Sequence, residues 1–234
     1  MINDHEQNNP QSADPNPQSE SPQPESPQAT LRLLRQFVRP RKVAAVERCE
    51  LCSAELAHDH EHLFEPPTRQ LLCSCQACAI LFSGQTETKY RRVPRRVRFL
   101  PDFRLTDSQW ESLLIPIGMA FFFHSSPAGK TVALYPSPAG ATESLLDLAS
   151  WAAVVEDNPV LSELETDVEA LLVNRVRGAA DYFVVPIDEC YKLVGLIRAG
   201  WRGLSGGTEV WQEIEKFFAE LKEKSGVVKE AARA

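Results

Sequence analysis

Apolar and polar positions along the chain change period several times, and each change marks an element. Residues 1–30 hold six Pro, five Gln, four Ser and four Asn with hardly an apolar side chain. Nothing there offsets the entropy of ordering a backbone, so a disordered tail is predicted. From Leu31 apolar residues return at helical spacing, with Leu31, Leu34 and Val38 on one face until Pro40 stops the run. Leu71-Leu72 and Ile80-Leu81-Phe82 are short apolar runs on either side of a cysteine pair and read as ribbon strands.

Further along, the signals become those of a core. Thr106-Asp-Ser-Gln109 is a capping box, with Leu105 and Trp110 placed as its hydrophobic staple, so a helix begins at Asp107 and ends before Pro116. Residues 117–123 and 131–135 are apolar runs of strand length around the turn-rich Ser125-Ser-Pro-Ala-Gly-Lys130, which predicts a hairpin. Asp147 caps a helix carrying Leu148, Trp151, Val154 and Val155 that ends at Asn158-Pro159. Residues 168–173 and 182–185, joined by a polar loop with Gly178, predict a second hairpin. Two helices close the chain. The first starts at Pro186 and aligns Ile187, Tyr191, Val194, Ile197 and Trp201. The second follows Gly206-Gly-Thr208 and carries Val210, Trp211, Ile214, Phe217, Phe218 and Leu221.

The fold class expected is α+β: an antiparallel sheet of hairpins covered by helices, with an N-terminal zinc-ribbon-like module and a disordered N-terminal tail. By composition the chain divides into the tail at 1–30, a short helix plus ribbon module at 31–88, the α+β body at 89–226 and a C-terminal tail at 227–234. With 234 residues, 43% of them apolar, one good core can be filled. The most apolar run, residues 113–123, is interrupted by Pro116 and Gly118 and is too short for a bilayer, so no membrane insertion is expected. The opening Met1-Ile-Asn-Asp-His5, with no Lys or Arg before residue 32, lacks the features of a secretory signal. A cytoplasmic location is therefore expected, where thiols stay reduced and clustered cysteines serve as metal ligands rather than disulfides.

The net charge of −7 is unevenly spread, with fourteen bases and eight acids in residues 31–104 against eleven bases and nineteen acids in residues 105–234. Seven of those bases fall in residues 89–104, interleaved with Tyr90, Phe99 and Phe103. Bases among aromatics suit a nucleic-acid backbone. Against that, Pro94, Pro101 and an overall pI near 5.3 favour an edge strand whose arginines meet the acidic C-terminal half, and nucleic acid is not the expected partner.

The clearest chemistry is Cys49-Glu-Leu-Cys52 followed, after 22 intervening residues, by Cys75-Gln-Ala-Cys78. Two C-x-x-C turns at this separation can each bring both thiolates to one point, and facing each other they make a tetrahedral four-sulfur cage. Zinc in a closed structural site is the expectation from Cys49, Cys52, Cys75 and Cys78; the same cage accepts iron, as in a rubredoxin-like electron carrier. Cys73 either substitutes for Cys75 as a ligand or is a spare thiol beside the site. His58-Asp-His60-Glu-His62 lies between the pairs; an extended segment would put all three imidazoles on one side, where a second metal or a general base is conceivable, but the expected reading is a polar connector at the rim of the module. Cys190 falls beside the apolar face of a helix and reads as core.

Catalytic constellations are scarce, and no enzymatic activity is expected. Ser137 lacks the glycine-flanked setting of a hydrolase elbow, and Gly203-Leu-Ser-Gly-Gly207 lacks the Lys and preceding strand of a phosphate loop. Asp188 and Glu189 suit the first turn of a helix. Residues 135–144, rich in Pro and Gly, read as a loop able to line a small pocket.

Several segments resemble a bacterial family of unknown function whose genes accompany those of actinobacterial-type [NiFe] hydrogenases. They are Arg48-Cys-Glu-Leu-Cys52, Leu71-Leu-Cys-Ser-Cys-Gln-Ala-Cys78, Leu100-Pro-Asp-Phe-Arg-Leu-Thr106, the stretch Ala133-Leu-Tyr-Pro-Ser-Pro-Ala-Gly-Ala-Thr-Glu-Ser144, Pro186-Ile-Asp-Glu-Cys-Tyr191 and Trp201-Arg-Gly-Leu-Ser-Gly-Gly207. The resemblance spans about residues 35–222. That family has no established activity, so no catalytic residue is carried over. What the resemblance implies is a setting: an accessory protein that contacts hydrogenase subunits or maturation factors, or a small partner handling the enzyme's electrons.

Overall fold

The computed structural model describes residues 46–83, 89–145, 148–203 and 205–226, apart from the side chain of Leu148. The predicted tail, the helix from Leu31, the cap Asp147 and the C-terminal tail lie outside the described residues. The fold is mixed α/β, with antiparallel sheets and helices.

A small sheet comes first. Strands β1 (Glu61–Glu65) and β2 (Gln70–Ser74) form a hairpin, and the two-residue β3 (Arg91–Arg92) adds to the free side of β1, so the order is β2-β1-β3. Strand alternation sorts the side chains of the hairpin. Leu63 and Leu72 pack with Ala79 in a satellite core, while Phe64 and Leu71 join the main core of the body.

The segment Ile80-Leu81-Phe82, expected as a strand, is instead helical: α1 spans Gln76–Ser83 directly after β2. The second cysteine turn winds straight into this helix, with the Ala79 N–H donating to the Cys75 carbonyl at 2.9 Å. Three consecutive apolar residues on a helix cannot share one face, and only Ala79 and Cys78 of this helix are buried. Ile80 (59% exposed), Leu81 (69%) and Phe82 (41%) are left toward solvent.

The body is a six-stranded antiparallel sheet of order β4-β9-β8-β5-β6-β7. Its strands are β4 (Arg98–Phe99), β5 (Met119–Ser125), β6 (Lys130–Ser137), β7 (Gly140–Ser144), β8 (Glu169–Asn174) and β9 (Asp181–Pro186). Both predicted hairpins are present, β5 with β6 and β8 with β9. Residues 135–144, expected as a loop, are largely strand. Ser137 pairs with Gly140 across a two-residue turn, Gly140 taking φ +124°, and β7 forms an edge. The Pro and Gly that signalled a loop mark a hairpin turn and an edge position.

Helices cover both faces, which explains why β5 and β8 read as unbroken apolar runs rather than alternating ones. On one face Phe121, Phe123, Leu172 and Phe183 meet α4 (Ile187–Gly200) and α5 (Thr208–Gly226), through Leu193, Ile197, Ile214 and Phe218. On the other, Phe122, Leu171 and Val173 meet Trp151 and Val154 of α3 (Leu148–Asp157), with Phe122 and Trp151 stacked at 4.7 Å. The capping box forms as expected at the start of α2 (Asp107–Ser112). Cys190 is fully buried in the first of these cores. No helix among the described residues is long and apolar enough to cross a membrane.

Candidate metal centre

The first cysteine pair sits in a tight knuckle. Its base is clamped by Cys49 N–H donating to the Ala54 carbonyl at 2.8 Å and Ser53 N–H donating to the Cys49 carbonyl at 2.7 Å. Ser53 adopts φ +62° to close the turn, a conformation that a small polar residue tolerates. The second pair lies at the β2–α1 junction, where the Cys78 N–H points at the Cys75 sulfur, 3.5 Å away. A reciprocal link joins the two turns: Glu50 N–H donates to the Cys73 carbonyl (3.0 Å), and Cys73 N–H donates to the Glu50 carboxylate (2.7 Å).

These contacts bring the sulfurs of Cys49, Cys52, Cys75 and Cys78 within 4.8 Å of one another. The Cys52 and Cys75 sulfurs are 3.7 Å apart, far beyond a disulfide bond, and all six cysteines are free thiols. A tetrahedral ion with metal–sulfur bonds of about 2.3 Å needs sulfur separations of about 3.8 Å, so the donor set fits one metal ion. Iron and zinc ask for nearly the same cage.

The thiols titrate unequally, as crowded donors do. Burial disfavours the Cys49 thiolate, but hydrogen bonds from the backbone of Cys75, Leu51 and Cys52 outweigh it and bring the group down to about 6. Cys78 is pushed up to about 12, by burial and then by its sulfur neighbours. Cys49 and Cys78 are buried, whereas Cys52 is exposed.

Cys73 is not among these four. Its partner across the hairpin is His62, and alternation puts it on the side of the hairpin that faces α4. There Cys73 gathers with His60 and His62, whose ligating atoms with its sulfur also lie within 4.8 Å of one another. Burial, then the carboxylates of Glu50 and Glu47, raise its thiol, the opposite of an activated nucleophile. His58 stays outside the group and lines the neighbouring cleft.

The His segment is thus more than a connector. His62 Nδ1 lies 2.8 Å from Oδ2 of Asp188, in the first turn of α4, and His60 Nδ1 lies 2.9 Å from the Ala57 carbonyl. Sequence reasoning gave Asp188 no role beyond the helix dipole. A contact across 126 residues has no local signal.

The basic stretch is spent on ion pairs. Arg96 forms a two-pronged pair with Glu169 (2.6 and 2.9 Å) and Arg98 reaches Glu163 (3.3 Å), both in the C-terminal half. Lys89, Arg92 and Arg95 turn back to Glu65, Glu61 and Asp59 of the cysteine module.

Residues 48–225 match the model of a family described as a family of unknown function (DUF5947). No curated protein and no solved structure matches the chain.

Proposed function

The chain belongs to this family of unknown function, and from that premise we propose that it is a non-enzymatic, zinc-bearing accessory protein that assists the assembly or function of a [NiFe] hydrogenase through protein contacts. The observation that carries the reading is the four-sulfur cluster with no open position: four thiolates complete a tetrahedral zinc ion and leave no site for a substrate. Beside it, Ile80, Leu81 and Phe82 offer exposed apolar surface on the helix that follows Cys75, the kind of surface that protein docking covers. The hydrogenase setting comes from the family resemblance of the segments from Arg48 to Gly207.

Two measurements test it. Protein purified without added metal should be colourless and contain zinc, and Cys78→Ser should lose the ion held by the four sulfurs. It should also bind purified [NiFe] hydrogenase subunits or their maturation factors, with Leu81→Glu weakening the complex. Zinc in the cage without any such binding sinks the accessory role while leaving the metal site intact.

A second reading has one observation in its favour. Cys52 is exposed while Cys49 and Cys78 are buried, an arrangement that would let an electron reach iron in the cage through a surface sulfur. In that case the protein is red as purified, and its thiolate-to-iron absorption bleaches on reduction.

A further inference from the structure

We propose that His60, His62 and Cys73 form a second metal site, distinct from the four-sulfur cage, that takes a single divalent ion of the zinc class through two imidazole nitrogens and one thiolate. Three donors, His62 and Cys73 on the paired strands and His60 just ahead of β1, converge there within 4.8 Å of one another. Their placement follows from the hairpin: His62 and Cys73 are opposite each other across β1 and β2, and His60 precedes His62 by one pleat.

The hydrogen bonds at the rings decide which nitrogens face the ion. Ala57 offers a carbonyl oxygen, which can only accept, so His60 Nδ1 carries the proton and donates. The Asp188 carboxylate likewise accepts from His62 Nδ1. In neutral imidazoles both Nε2 atoms then hold free lone pairs. His60 Nε2 is buried without any hydrogen-bond partner, on a side chain only 8% exposed. A buried ring nitrogen normally has a partner, and an ion supplies the missing one. The Glu47 carboxylate, 3.5 Å from His60 Nδ1, adds negative charge behind that ring.

Outer carboxylate and carbonyl partners on Nδ1 are what orient histidines at zinc sites. Three protein donors leave a tetrahedral ion one position for water or an outside ligand. His60 and His62 line a cleft of about 770 Å³, together with Asp188, Lys192 and Lys224.

The test is a Zn²⁺ titration of the metal-free full chain against a chelating indicator, repeated with Co²⁺ to distinguish a four-sulfur from a nitrogen–sulfur spectrum. The wild type should take two ions. Cys73→Ser and His60→Ala should each take one, keeping the four-sulfur spectrum, and Cys78→Ser should keep the nitrogen–sulfur one. Asp188→Asn should retain two ions but weaken the second by about 10–100-fold. One ion in the wild type, still present in Cys73→Ser, overturns the proposal, as do two ions that survive both Cys73→Ser and His60→Ala. One ion that Cys73→Ser abolishes and Cys78→Ser leaves in place supports this site and overturns the cage instead. Circular dichroism of each variant confirms that it is folded, and Cys73→Ser, the mildest change, decides the matter should His60→Ala unfold.

Discussion

His62 and Asp188 stand 126 residues apart in sequence and 2.8 Å apart in space, Nδ1 to Oδ2, and this contact fastens the cysteine module to the first turn of α4. Phe64, one pleat further along β1, enters the main core against Phe123 and Tyr191. A polar and an apolar anchor on the same strand face thus help hold the module to the body, beside Leu71 in the main core and the Arg69–Glu143 pair.

Asp188→Ala is expected to lower stability by about 1.5–3 kcal/mol, the range for a hydrogen bond to a charged group. Because Asp188 also accepts from the Glu189 N–H, the single variant overstates the anchor. A double-mutant cycle with His62→Ala, read from urea midpoints, isolates the pair; a coupling indistinguishable from zero would show that the contact fastens nothing.

Metal removal should act locally first. Chelation at neutral pH is expected to speed amide hydrogen exchange in residues 46–83 while the β5, β8 and β9 amides keep their protection, because those strands draw on cores the cage does not touch. Uniform loss of protection would mean that the cage supports the whole fold.

Glu169 is fully buried beneath the half-exposed Arg96. Arg96→Ala leaves that carboxylate without its counter-charge, and a loss on the order of 2–4 kcal/mol is expected in thermal or urea unfolding. Burial alone would raise Glu169, but the Arg96 guanidinium and the Glu165 N–H outweigh it and hold the group below the usual carboxylate value. A depressed folded-state value stabilises above the unfolded value of about 4.3 and is lost as pH falls through the folded one. The stability difference between wild type and Glu169→Gln should accordingly be largest near neutrality and shrink below about pH 4. A difference independent of pH would remove the ion pair as its cause.

Gly206 lies between α4 and α5 with φ +87°, and a Cβ there would come within 2.9 Å of Val210 and 3.0 Å of the Trp201 ring. Gly206→Ala combines strain with a clash against two packed side chains, so a loss of about 1–3 kcal/mol is expected. Gly203→Ala, also at positive φ but in open space, separates the two causes. Equal losses would leave the clash without effect.

Much of the body was legible because its signals are local. The capping box at Thr106, the hairpin turns and the helix stop at Asn158-Pro159 each depend on neighbours within a few residues. The four cysteines were legible for the same reason, since C-x-x-C fixes each half of the cage. The failures have a common physical source. Ile80-Leu81-Phe82 looked like a strand because three apolar residues in a row fit a buried strand, yet here they follow a helix start and are left exposed. Residues 135–144 looked like a loop because Pro and Gly were counted without the pairing partner that makes β7 an edge strand. The grouping of Cys73 with His60 and His62 required the β1–β2 register, and Asp188 required the tertiary fold.

All four cage sulfurs lie between residues 49 and 78, whereas Asp188 comes 110 residues after the last of them. A nascent chain therefore brings Cys49, Cys52, Cys75 and Cys78 out of the ribosome long before α4 has been synthesised, and N-terminal segments generally fold first. The four cysteines that could hold an ion are thus complete well ahead of α4, while the ring of His62 gains its Asp188 partner only once the body has folded around it.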